Sequence, residues 1–127
     1  MNIYGIGTDI VNVNRIKKSL KNKSFIKRIF NQKEILKCKK LSRTHSCYAK
    51  RFAAKEAFSK ALGTGIANGI NFNEIIILNK VTGKPYITLS GQTKKILKKK
   101  FNNKKPKISL SISDEKKYAV AFVTISL

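Results

Sequence analysis

The chain has 127 residues, 42% of them hydrophobic, which reads as one domain (1–127) with a real core and excludes a disordered chain. It carries 28 basic side chains against six acidic ones, a formal net charge of +22, so its partners are expected to be polyanionic. No apolar run reaches the ~20 residues of a membrane span, the start MNIYGIGTDIV is unlike a secretory signal, and two cysteines are too few for a disulfide scaffold, so a soluble, cytoplasmic protein with reduced thiols is expected.

Residues 2–11, NIYGIGTDIV, are apolar, β-branched and broken by glycines, as in a strand. Asn12 or Asn14 is placed to cap a short helix beginning near Arg15. Residues 24–40 set Phe25, Ile26, Ile29, Phe30, Ile35 and Leu36 at helical spacing, predicting one or two amphipathic helices with lysines toward water. A longer helix is predicted from Thr44 to Leu62, stopped by Gly63–Thr64–Gly65. FNEIIIL (72–78) and YITL (86–89) read as strands of a hairpin joined by a turn over Val81–Pro85. Ser90 caps a predicted helix to about Lys100. ISLSIS (108–113) alternates apolar and hydroxyl side chains, and YAVAFVTISL (118–127) returns from a turn at Asp114–Lys117. The mixed order with two hairpins predicts an α+β fold with a largely antiparallel sheet and a long helix.

Within the long helix, RFAAKEAFSKALGTG (51–65) places Phe52, Glu56 and Lys60 on one stripe and Ala53, Ala57 and Ala61 on another. The alanines leave room for a neighbouring element to come close. From spacing alone, Glu56 and Lys60 form a surface ion pair, worth about 0.3–0.5 kcal/mol. The basic residues are 24 Lys and four Arg in a chain also rich in Ile and Asn. All three are encoded by A/T-rich codons, so genome composition accounts for part of the charge. TKKILKKKFNNKKPK (93–107), with eight lysines and no acid, keeps a basic nucleic-acid-binding module open as an alternative. Scarce arginine and the lack of any recognition-helix pattern weigh against it. Cys38, His45 and Cys47 fit no common zinc spacing.

RFAAKEAFSKALGTG closely resembles the signature helix of the holo-acyl-carrier-protein synthases, the short phosphopantetheinyl transferases. GIGTDIVNVNRI (5–16), NGINFNEIIILN (68–79) with TGKPYITL (82–89), and SLSISDEKKYAVAFV (109–123) resemble that family's other motifs in the same order. The resemblance implies a phosphopantetheinyl transferase fold assembled as a homotrimer, with active sites at subunit interfaces. It implies transfer of 4′-phosphopantetheine from coenzyme A to a serine of acyl carrier protein, in support of fatty acid biosynthesis, with Mg²⁺ as the metal.

By this resemblance Asp9 and Glu56 are the metal-binding carboxylates, and Asp9, Glu56 and Lys60 the catalytic set. Mg²⁺ suits that pair, since it takes one or two protein carboxylates beside substrate phosphates. Asp9 is expected at the end of the first strand. Lys60 is the candidate to neutralise the diphosphate, with Arg51, Gly63, Gly83, Lys84, Pro85 and Ser113 as further coenzyme contacts. Arg15, Lys27 and Arg28 form the implied dock for the acidic carrier protein, with Ile29 adding contact area. Bland roles stand beside these: Asp9 as a turn or cap, Pro85 as a hairpin brace, Ser113 as a solvated strand residue. Relatives often carry histidine where this chain has Asp114, which would instead hydrogen-bond adenosine or orient a lysine. His45 reads as a helix surface residue.

Overall fold

The computed structural model describes residues 2–63 and 69–127. Its elements are β1 (Ile3–Asn12), α1 (Val13–Ser19), α2 (Lys23–Ile29), α3 (Gln32–Lys39), α4 (Thr44–Leu62), a 3₁₀ turn (Phe72–Glu74), β2 (Ile75–Asn79), β3 (Pro85–Leu89), α5 (Gly91–Lys100), β4 (Lys107–Asp114) and β5 (Tyr118–Ser126). Among the described residues there are two antiparallel sheets, one ordered β1-β5-β4 and one formed by the β2–β3 hairpin. The α+β architecture with antiparallel sheets is as expected.

Helix α4 lies across the inner face of the larger sheet. Ala119, Ala121, Val123 and Ile125 of β5 alternate inward and are buried beneath it. The alanine stripe Ala53, Ala57 and Ala61 is buried too. A Cβ on Gly5 or Gly7 of β1 would overlap the backbone carbonyl oxygens of Ala61 and Ala57 respectively. Strand and helix therefore meet backbone to backbone, which only glycine facing alanine permits. This contact sets how near Asp9, two residues along β1, comes to α4.

The helix ends follow asparagine chemistry. Asn12 accepts from the Arg15 N–H, and Asn22 from those of Ser24 and Phe25. Asn31 and Glu34 form a reciprocal capping box on α3. The span 24–40 is thus parts of two helices separated by a break at Phe30–Asn31. Gly63 closes α4 in the left-handed region (φ 76°); Thr64 and Gly65 of the predicted stop lie outside the described residues.

Several expectations are corrected. The segment predicted as a strand from Phe72 opens as a 3₁₀ turn, and β2 begins at Ile75. Pro85 opens β3 rather than closing the turn. Ser90 makes no side-chain cap to α5. Glu74 caps it instead, accepting from the Gln92 and Thr93 N–H groups and the Thr93 hydroxyl. Burial pushes the Glu74 carboxyl up, but bonds from Asn71, Thr93 and Gln92 outweigh it and hold it below its ordinary value. The cysteines are not reduced thiols. Cys38 at the end of α3 and Cys47 in the first turns of α4 are both buried, with Cα atoms 5.5 Å apart, and form a disulfide.

A charged pair sits in the core. Lys55 and Glu34 are both 0% exposed and 2.8 Å apart. Lys55 also donates to the carbonyls of Phe72 (2.8 Å) and Ile75, while Glu34 also accepts from the Asn31 and Ile77 N–H groups. One network thereby ties α3, α4, the 3₁₀ turn and β2 together. Burial pushes the Lys55 ammonium down to about 8, the charge and hydrogen bond of Glu34 only partly offsetting it.

Candidate active site

Asp9 is not at the end of a strand but inside β1, paired opposite Ala121. The alternation that turns Gly7 and Val11 inward turns Asp9 toward α4 as well. On α4, Phe52 and Glu56 lie one helical turn apart, and their stripe faces the same way. Asp9, Glu56 and Phe52 line one cavity of about 390 Å³, with Arg15, Ile16 and Phe25 on its other walls. Two of the chain's six acids, 47 positions apart in sequence, are thus brought together in a protein of net charge +22.

The electrostatics favour a cation beside these two acids. Burial and then the charge of Asp9 push the Glu56 carboxyl above its ordinary value, and Lys60 pulls it partly back. Lys60 does not pair with Glu56, as helical spacing alone suggested. Its ammonium donates to the Thr8 carbonyl at 2.9 Å and to Asp9 Oδ1 at 3.1 Å. The strand comes close enough to capture it, because glycine on β1 removes the side chains that would hold β1 away. Among the described residues no group of three or more His, Cys, Asp or Glu side chains could hold a metal. Two carboxylates on a water-accessible cavity suit an oxygen-preferring dication that completes its shell with water and substrate.

Arg51 points elsewhere. It is five positions from Glu56, roughly 140° around the helix, and is only 5% exposed. It lines a second cavity of about 430 Å³ with Gly83, Pro85, Asn79, Lys37, Lys50, Lys80 and Asp114. The two cavities share no lining residue. The guanidinium is already engaged: Nη1 donates to the Cys47 carbonyl and Sγ, both at 3.2 Å, and Nη2 to Asn79 Oδ1 at 3.1 Å. Among the described residues Nε alone finds no partner. Desolvation lowers its pKa, with Glu34 and Tyr48 opposing.

Residues 5–123 match the 4′-phosphopantetheinyl transferase superfamily. The chain belongs to that family. It is 54% identical over 125 residues to a holo-(acyl-carrier-protein) synthase of Pelagibacter ubique, covering 98% of each chain. The holo-(acyl-carrier-protein) synthase of Bacillus anthracis, solved in complex with CoA (3′,5′-ADP), superposes with a TM-score of 0.81 at 39% identity, covering 100% of both chains. That of Neisseria meningitidis superposes with a TM-score of 0.86 at 38% identity, covering 98% of this chain and 99% of its own. Family membership displaces the nucleic-acid module as the reading of the chain's main function.

The transferase's remaining expected residues are distributed unevenly. Gly83 (φ 94°) and Pro85 join Arg51 at the second cavity, whereas Lys84 is exposed and does not line it. Gly63 is exposed at the end of α4 and lines neither cavity. Ser113 is brought to neither; it stands on the outer face of the large sheet opposite Val120, in line with Ser109 and Ser111. Arg15 is exposed and forms a wall of the Asp9–Glu56 cavity. Lys27 and Arg28 are exposed on α2, but Ile29 is 6% exposed and belongs to the core, so it offers no docking area. Asp114 accepts from the Ser46 hydroxyl at 2.7 Å instead of orienting a lysine. His45 is exposed as expected, and the disulfide removes both cysteines from any metal site. Nothing in the sequence singles out Asn79 or the wall lysines Lys37, Lys50 and Lys80; in a chain with 24 lysines, no pattern separates those three from solvated ones.

Proposed function

We propose that this transferase moves 4′-phosphopantetheine from coenzyme A to a serine of an apo acyl carrier protein, releasing adenosine 3′,5′-bisphosphate, in the cytoplasm and in support of fatty acid biosynthesis. The observation that carries this reading is the convergence of Asp9 and Glu56 on one cavity, with Lys60 tied to Asp9 beside them. Asp9 and Glu56 hold Mg²⁺, which when bound neutralises charge on the coenzyme's diphosphate. Lys60, already held by Thr8 and Asp9, presents its ammonium to the departing phosphate oxygen. Glu56, half-buried and pushed up, orients the water that takes the serine's proton. Arg15 on the cavity wall, with Lys27 and Arg28 on the neighbouring helix, guides the acidic carrier protein to this mouth.

The reading includes a homotrimer with sites at the subunit boundaries, and the outer face of the large sheet supports it. Ile6 (60% exposed), Ile10 (63%) and Phe122 (45%) form a contiguous apolar surface with Val120 and Tyr118. A monomer rarely leaves such a patch open. Ser113 stands on that same face and lines neither cavity of its own chain, so a neighbouring copy packed there would take it to its own site. Incubation with coenzyme A, Mg²⁺ and an apo carrier protein, followed by intact-mass measurement, tests the function. One added phosphopantetheine per carrier protein, lost when metal is chelated, is the expected result; an unchanged mass with metal present refutes it.

A further inference from the structure

The cavity around Arg51 contains a side chain that touches both halves of its wall. Asn79 ends β2 and pairs with Pro85 across the hairpin. Its Oδ1 accepts from Arg51 Nη2 at 3.1 Å, and its Nδ2 donates to the Gly83 carbonyl at 3.0 Å. One amide therefore joins the helix-borne cation to the glycine turn. A carboxamide accepts at its oxygen and donates at its nitrogen without adding charge, and its two ends reach partners on opposite sides. Aspartate would accept from Arg51 but would face the Gly83 carbonyl with another acceptor and cancel the cation. An aliphatic residue would release both partners.

Arg51 needs such a holder. It is 5% exposed, so water does not set its position; Cys47 and Asn79 do. Cys47 is fixed by the disulfide to Cys38. The remaining fork of the guanidinium hangs on Asn79, while Lys37, Lys50 and Lys80 outweigh the one carboxylate, Asp114, on a net cationic rim suited to phosphate. We propose that Asn79 is a positioning residue, holding Arg51 and the Gly83 turn in register so that the cavity between them receives the phosphate-bearing end of the nucleotide. This rests on reading that cavity, which Arg51, Gly83 and Pro85 line, as the place of the coenzyme's nucleotide, apart from the Asp9–Glu56 cavity of the same chain.

The test titrates wild type, Asn79→Ala and Asn79→Asp with adenosine 3′,5′-bisphosphate, a ligand without a thiol, and with adenosine 5′-monophosphate, by calorimetry. Steady-state kinetics of the full chain accompany it. Asn79→Ala is expected to weaken bisphosphate binding about tenfold, as loss of a hydrogen bond to a charged group would. It should raise KM for coenzyme A to match, leaving kcat and KM for the carrier protein near wild type. Asn79→Asp should lose more than Asn79→Ala, because its charge opposes phosphate. The monophosphate should be less affected in both. A parallel fall in kcat, in both KM-derived affinities and in Tm would mean a merely structural role and would overturn the proposal. So would unchanged bisphosphate binding in both variants. Absence of bisphosphate binding by wild type would instead overturn the coenzyme assignment of the cavity, and the role of Asn79 with it.

Discussion

Replacing Lys55 by methionine keeps the length of the side chain and removes its charge. Glu34 would be left fully buried, facing the Phe72 and Ile75 carbonyls that Lys55 had satisfied. Breaking a buried pair from one side costs roughly 3–5 kcal/mol, because an uncompensated charge remains in the interior. A chain of 127 residues has an unfolding entropy of about 0.27 kcal/mol/K. A loss of ~4 kcal/mol therefore corresponds to a fall in Tm of ~15 °C. Burial already drives the Lys55 pKa down to about 8, so the pair is itself expensive to hold charged. It follows that Glu34→Leu with Lys55→Met should be less damaging than Lys55→Met alone. It should not be neutral, since Glu34 also caps α3 and accepts from Ile77. Urea denaturation followed by circular dichroism, all variants at one protein concentration, gives these differences. A Lys55→Met variant within ~1 kcal/mol of wild type would refute the reasoning.

Gly7→Ala should destabilise by about 3 kcal/mol or more, because the added carbon meets the Ala57 backbone and not a movable side chain; denaturation measures it. Glu56→Gln should abolish Mg²⁺-dependent transfer yet raise the Tm of the metal-free protein at neutral pH. The folded Glu56 pKa is raised, so its favourable contribution exists below the unfolded value and is lost as pH rises through the folded one. The Tm gain should therefore shrink on acidification, which a melting series across pH reads directly. Arg15→Glu or Arg28→Glu should raise KM for the carrier protein roughly 3–10-fold with little change for coenzyme A, read by steady-state kinetics. Reducing the Cys38–Cys47 bond, which spans nine positions, should cost ~2.5 kcal/mol of stability, measured by denaturation with and without dithiothreitol.

Much of this fold is legible in the residues. The stripe of alanines on α4 announces that a neighbouring element comes close, whereas the glycines of β1 read only as breaks in a strand until they meet that stripe. Asp9 and Glu56 stand out as acids among cations, and the contact between β1 and α4 makes them neighbours. The buried Lys55 is not legible, because in so basic a chain a lysine beside Glu56 reads as one more solvated charge. Its burial depends on α3 delivering Glu34 and on two carbonyls arriving from residues 72–75. Ile29 looks like exposed docking area on a short helix until the core claims it. The disulfide depends on the end of α3 meeting the start of α4, a tertiary distance that spacing does not encode. The cap on α5 comes from Glu74, sixteen positions before Ser90, for the same reason.

The proposed catalysis requires Asp9 and Glu56 to share one dication. Mn²⁺ in place of Mg²⁺, followed by electron paramagnetic resonance in the presence of coenzyme A, counts bound metal in wild type, Asp9→Asn and Glu56→Gln. The expected result is one bound ion per chain in wild type and at least tenfold weaker binding in each variant, since each removes one of two charged ligands. Wild-type affinity retained in either variant would contradict it.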